Sequence, residues 1–314
     1  MSYKALIISL RGAKLSRDEI AILSKEKPWG VILFKRNLKS FNQIKKLTLS
    51  IKKLTKNKRF PILIDEEGDT VSRLRNIINH NFSANFFGNL YKNNKKFCLN
   101  IYKNYIYSLC IILKDLGINI NTIPVLDVLR VNTNKVIGKR AFSINKTIVK
   151  ELGKLTIQHL HSNKIAGIIK HIPGHGASKV DSHKKLPKVN LSLKNLNNID
   201  FYPFKLSKAK FAMTAHISYA KIDKNNPATF SKKIIKNIIR KKLKFRGILI
   251  SDDISMKALK YNLVTNAKKS LEAGCNLVLY CSGKTNDNLK LIKSVPYIDK
   301  FTAKKTSEFF NFLR

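Results

Sequence analysis

Eight short β-branched segments, most of them followed by a helical one, predict a (β/α)8 barrel, an α/β fold of the TIM type, for this 314-residue chain. Two further observations support that architecture. The length suits one large α/β domain, and no linker, composition break or solenoid-period repeat divides residues 1–314. Asp65, Asp127, His171, His216 and Asp252 each fall at or just after the carboxyl end of a different strand segment, and in a barrel those ends share one mouth. A doubly wound sheet is the alternative, but no Gly-x-Gly-x-x-Gly follows the first strand.

In chain order, residues 4–10 form the first strand. Ser16-x-x-Glu19 has the reciprocal capping pattern that opens a helix, and 30–34 is the second strand. Ser40-x-x-Gln43 repeats the signal before a helix with Ile44, Leu47, Ile51 and Leu54 on one face. Residues 61–64 are the third strand, running into Asp65. An irregular Asn-rich stretch precedes a helix over 101–116, stopped by Gly117. The fourth strand lies in 118–126, and a helix follows over about 146–161. Residues 166–169, 210–214, 247–250 and 276–280 are the last four strands. Between them, Ser231 caps a helix bearing Ile234, Ile235, Ile238 and Ile239, another helix runs through Glu272 to Gly274, and two amphipathic segments close the chain. Trp29, the only tryptophan, stands before the second strand, a place for packing rather than for stacking on a ligand.

Composition narrows the function classes. The chain is 44% hydrophobic and 25% charged, in the globular range. Its N-terminal apolar run is too short for a signal peptide, and no apolar stretch is long enough to span a bilayer. Four cysteines without a Cys-x-x-Cys pair (Cys98, Cys110, Cys275, Cys281) suit reduced thiols in a cytoplasm. The net charge of +42 invites a nucleic-acid reading, but lysine is scattered along the whole chain and no nucleic-acid motif accompanies it. The expectation is no specific nucleic acid and no membrane; a monomer is expected as well, though nothing in the composition bears on it. Against 61 basic residues the 19 acids stand out: Asp65, Glu66, Glu67 and Asp69 cluster, and Asp252 adjoins Asp253.

The densest chemistry lies in residues 165–183, where an apolar strand stops at Lys170 and His171 and runs into Pro173, Gly174, His175 and Gly176, then Asp181 and His183. Three of the seven histidines sit there, a density that packing alone does not explain. An Asp181-Ser-His183 dyad would fix an imidazole tautomer and raise its basicity, giving a proton donor near neutrality. With Asp252 opposite, the pair matches the nucleophile and acid/base of a retaining glycosidase, His183 replacing the second carboxylate. Asp253 would hold the next helix, leaving Asp252 to face the mouth. Asp65, Arg73, Arg140 and Lys170 would supply hydrogen bonds to hydroxyls and an amide. Two rivals remain open on spacing alone. One is a metal-dependent hydrolase with ligands from His171, His175, Asp181, His183 and Asp252, although no His-x-His or His-Glu-x-x-His is present. The other is a basic binding protein on a catalytically weak barrel.

Several segments, in order, resemble the single-domain bacterial β-N-acetylhexosaminidases of glycoside hydrolase family 3. They are Gly30-Val-Ile-Leu-Phe-Lys-Arg-Asn37, Ile64-Asp-Glu-Glu-Gly68, Pro124-Val-Leu-Asp127, Gly138-Lys-Arg-Ala-Phe-Ser143, Lys170-His-Ile-Pro-Gly-His-Gly176 with Asp181-Ser-His183, Ala215-His216, Pro227-Ala-Thr-Phe-Ser231 and Ser251-Asp-Asp-Ile-Ser-Met256. The resemblance implies retaining hydrolysis of terminal β-linked N-acetylglucosamine without metal or other cofactor. It implies Asp252 as nucleophile, His183 as acid/base with Asp181 orienting it, and Asp65, Arg73, Arg140, Lys170 and His171 as sugar-binding residues. The implied substrate is a small anionic anhydro-muropeptide or a chitobiose-like sugar, in cell-wall recycling. Two departures are visible: the family's Asp-Gln-Glu-Gly-Gly-Arg-Val is Asp65-Glu-Glu-Gly-Asp-Thr-Val71 here, and its Gly-Asp-Thr is Gly176-Ala-Ser178.

Overall fold

The computed structural model describes residues 3–314. Among them ten strands form: β1 (Lys4–Ser9), β2 (Pro28–Leu33), β3 (Ile62–Ile64), β4 (Ile120–Asn121), β5 (Ala166–Ile172), β6 (Lys188–Val189), β7 (Phe211–Thr214), β8 (Ser218–Tyr219), β9 (Ile248–Asp253) and β10 (Leu277–Leu279). Eight of them close a barrel in the order β1-β2-β3-β4-β5-β7-β9-β10, each parallel to its neighbours. The expected barrel is borne out, strand for strand. Its staves are apolar because parallel strands wrapped by helices meet water on neither face. β2 and β5 are buried along their whole lengths. The additional pair, β6 with β8, is a small parallel ladder beyond the barrel wall.

Where the elements differ from expectation, a local cause is visible. β5 does not stop at Lys170 but carries Lys170, His171 and Ile172 as strand residues, and Ile172 pairs with Thr214 of β7. β4 keeps only two residues of the 118–126 segment, because Pro124 has no N–H to give a ladder. Side chains take over there: Asn121 receives the Glu66 N–H at 3.1 Å and donates to the Glu66 carbonyl at 2.9 Å. The Asn-rich stretch contains a helix, Ala84–Asn93, ahead of the long helix Lys95–Asp115. Asn and Gly are poor helix formers, yet Phe87 and Tyr91 bury one face, and any Cβ at Gly88 would lie 1.7 Å from the Phe142 carbonyl oxygen. Packing overrides propensity.

Trp29 lies in the floor of the barrel as expected of a packing residue, donating to Thr306 Oγ1 at 2.9 Å and meeting Phe211 and Phe309 with its ring. All four cysteines are free. Among the described residues, no helix is long and apolar enough to cross a membrane.

Candidate active site

The mouth at the carboxyl ends of the strands holds a cavity of about 410 Å³. One wall is a buried ion network built from three strand ends. Lys170, on β5 and only 2% exposed, places its ammonium 2.6 Å from Asp65 Oδ1 and 2.5 Å from Glu67 Oε1, and donates to Thr122 Oγ1 at 2.8 Å. Arg140 grips Glu67 with two nitrogens at 2.7 and 2.8 Å. Arg73 reaches Asp65 Oδ2 at 2.6 Å while its guanidinium lies 5.0 Å from the centre of the Phe34 ring. Burial pushes Asp65 and Glu67 up, but Lys170, Arg73 and Arg140 at Asp65, and Arg140 and Lys170 at Glu67, outweigh it, and both carboxylates stay below their ordinary range.

Glu66, wholly buried, organises the loop that brings Arg73 back to Asp65. Its Oε2 accepts the backbone N–H groups of Arg73 and Leu74 at 2.7 and 2.8 Å, and its Oε1 lies 2.6 Å from His80 Nε2. Asp69 sits outside this knot and pairs with Arg75 at 3.4 Å, while Thr70 lines the cavity. The departure from the family pattern at Asp69 and Thr70 therefore leaves the Asp65–Arg73 contact intact.

The next wall comes from the histidine loop. Asp127, buried, accepts from the His175 N–H at 2.6 Å and the His171 N–H at 3.2 Å, and its Oδ2 is 2.7 Å from His171 Nδ1. That pairing leaves Nε2 of His171 for a ligand. The loop can pack this tightly because Gly174 has φ of +144°, and a Cβ at Gly176 would stand 1.8 Å from the Val128 carbonyl oxygen. Burial lowers His175 to a pKa of about 4, so its ring is neutral at pH 7; Nε2 lies 3.2 Å from Ser182 Oγ.

Asp252 comes from the end of β9. Its Oδ1 accepts the Asp253 N–H at 2.8 Å. Burial raises its pKa, while the His216 and His171 imidazoles and the Asp253 N–H lower it, and the balance falls below the ordinary value. His216 is fixed by Thr229 Oγ1 at 2.7 Å and the Asp253 carbonyl at 3.0 Å. Asp253 holds a turn rather than the following helix: it accepts from Ser255 N at 3.0 Å, Ser255 Oγ at 2.6 Å and Cys281 N at 3.2 Å, and the helix Leu263–Ala273 is capped by Asn262 instead. At the rim, Asp181 Oδ1 accepts the His183 N–H at 2.8 Å and lies 2.9 Å from His183 Nδ1. Asp252 and His183 line the same cavity.

Residues 4–304 match the glycosyl hydrolase family 3 N terminal domain. The chain belongs to that family. A β-hexosaminidase of Nitrosomonas eutropha is 34% identical over 282 residues, which is 88% of this chain and 80% of the relative. One from Haemophilus influenzae is 32% identical over 316 residues, 97% of this chain and 88% of the relative. The crystal structure of NagZ from Neisseria gonorrhoeae in complex with N-trifluoroacetyl-D-glucosamine superposes with a TM-score of 0.88 at 28% identity, over 98% of this chain and 90% of that one. The expected family 3 glycoside hydrolase of the β-N-acetylhexosaminidase type is thereby borne out.

In this family 3 hydrolase, seven of the eight anticipated site residues line the cavity: Asp65, Arg73, Arg140, Lys170, His171, His183 and Asp252. Asp181 lies behind His183 and reaches the cavity only through it. Lys170 differs from expectation in one respect, since its three N–H groups already have protein acceptors in Asp65, Glu67 and Thr122. It is first the counter-charge of the network. The metal-centre reading requires the loop histidines to converge, but one ring nitrogen each of His171, His175 and His183 faces Asp127, Ser182 and Asp181 respectively. Among the described residues, no group of three or more His, Cys, Asp or Glu side chains could hold a metal ion. Glu67, Glu66 with His80, and the role of Asp127 were not anticipated. The one signal for the first two was the acid cluster in a chain otherwise poor in acids.

Proposed function

We propose that this family 3 hydrolase is a retaining exo-β-N-acetylglucosaminidase that removes terminal N-acetylglucosamine from anhydro-muropeptides. On this reading it works as a cytoplasmic monomer in peptidoglycan recycling. The observation that carries the reading is the pairing, on one cavity, of a half-buried carboxylate held below its ordinary pKa with an Asp-bound histidine. An N-acylated glucosamine in the Neisseria structure supports the choice of sugar. The anionic leaving group suits a chain of net charge +42.

The chemistry follows from the residues. Asp252 attacks the anomeric carbon as the glycosidic bond breaks, forming a glycosyl-aspartate. Asp181 holds the proton-bearing Nδ1 of His183, so Nε2 carries the proton that goes to the departing oxygen. Water then attacks the same carbon, Nε2 takes its proton, and Asp252 is released. Asp65, Arg73, Arg140 and His171 offer the donors and acceptors that orient hydroxyls and the acetamido group.

The acid role of His183 has a sharp test. His183→Ala is expected to lower kcat on a phenyl β-N-acetylglucosaminide by about 10²–10³-fold. On a dinitrophenyl glycoside, whose leaving group needs little protonation, the first step should fall less than about tenfold. Equal losses on both substrates would rule the acid role out.

A further inference from the structure

The cavity continues past the His183 rim. Lys135 and Val136 belong both to its wall and to an adjoining open groove of about 630 Å³. The groove is a built feature between two clipped loops: Asn134 N–H donates to the Ser178 carbonyl at 2.9 Å, and Asn134 Nδ2 to the Lys179 carbonyl at 3.1 Å. The Asp181 carbonyl accepts the N–H groups of Lys184 and Lys185, at 3.1 and 3.2 Å, so the turn that carries the Asp181–His183 pair also carries two lysines. Lys135, Lys179, Lys184 and Lys185 all line this groove and all are exposed. Among the described residues, the lysines in ion pairs are Lys45, Lys95, Lys170 and Lys305, so the four groove lysines have none. The one acid in the groove wall, Asp181, is already engaged with His183.

An acid that protonates a glycosidic oxygen stands beside the leaving group. With the terminal sugar over Asp252, the leaving group passes His183 and enters this groove. Four lysines against the single engaged Asp181 make it strongly positive. We propose that the groove is a leaving-group site in which Lys135, Lys179, Lys184 and Lys185 select extended aglycones bearing several carboxylates. The proposal rests on the glycosidase reading, and it gives part of the +42 charge a place and a purpose. Each exposed lysine contributes modestly, so the selection is a property of the cluster and weakens with salt.

The test compares two aryl β-N-acetylglucosaminides with phenols of equal acidity, one neutral and one extended by a tricarboxylate peptide. At about 20 mM ionic strength the wild type should prefer the anionic substrate about tenfold in kcat/KM, mainly through KM, and the preference should shrink towards unity at about 0.5 M salt. Lys179→Gln with Lys184→Gln and Lys185→Gln should bring that ratio to within about twofold of unity. Lys25→Gln with Lys56→Gln and Lys58→Gln removes the same charge at the opposite end of the barrel and should keep the ratio. An equal loss in the two triple variants would mean that overall charge, not the groove, makes the selection, and would overturn the proposal. So would a wild-type ratio near unity with the neutral glycoside still hydrolysed, and the glycosidase reading would survive that result. No turnover of the neutral glycoside would bring down both.

Discussion

Asp252→Ala should lower kcat/KM on an aryl β-N-acetylglucosaminide by on the order of 10⁴-fold, with chelator present throughout. The expectation follows from position and charge. Asp252 stands at the end of β9 in the cavity wall, and the His216 and His171 rings and the Asp253 N–H hold its pKa below the ordinary value despite the cost of burial. Such a carboxylate is a nucleophile at neutral pH, and the neighbouring Asp253, which also lines the cavity, is already engaged by Ser255 and the Cys281 N–H. Asp252→Asn keeps the shape and the acceptor for the Asp253 N–H, so it should fold like the wild type while showing the same loss. Retention of most activity by either variant would refute the assignment. Wild-type activity abolished by chelator and restored by added metal would point instead to the metal-dependent alternative.

Lys170→Met should destabilise the fold by about 3–5 kcal/mol, seen as a lower midpoint in denaturant, and should abolish detectable turnover. Lys170 is buried between Asp65 and Glu67, and removing its charge leaves a half-buried and a buried carboxylate with only the arginines to balance them. The pH dependence has a definite sign. Both carboxylates have folded-state values depressed below their unfolded ones. Their stabilisation is therefore complete above the ordinary carboxylate range and is lost as pH falls through the lower folded-state values. Without Lys170 the depression shrinks, so the variant should begin to unfold at higher pH than the wild type on acidification. An unchanged acid-unfolding curve would show that the network does not couple to stability.

The limits of reading the sequence are local and have identifiable causes. The barrel was legible because eight apolar β-branched runs mostly alternate with helices and no Gly-x-Gly-x-x-Gly of a doubly wound sheet follows the first. The histidine loop was legible because Pro173, Gly174 and Gly176 break regular structure beside three titratable rings. The helix Ala84–Asn93 was not, since its stability comes from Phe87 packing on Tyr102 and Tyr105 of the next helix and from Phe142 approaching Gly88 from beyond it. Asp253 was assigned to a helix cap because tandem acids before a helix suggest one. The turn through Ser255 and the Cys281 N–H claimed it instead.

At the site the division is similar. Strand-end periodicity pointed to Asp65, Lys170, His171 and Asp252, and the resemblance to the family carried the full set with Arg73, Arg140, Asp181 and His183. Only the folded chain decided what each side chain does with its charge. Lys170 became a counter-ion to Asp65 and Glu67, Asp127 became the anchor of His171, and Glu66 became the knot behind Arg73. Those pairings join residues up to 105 positions apart. Such distances are fixed by how the strands close on one another, and no local pattern in the chain encodes them.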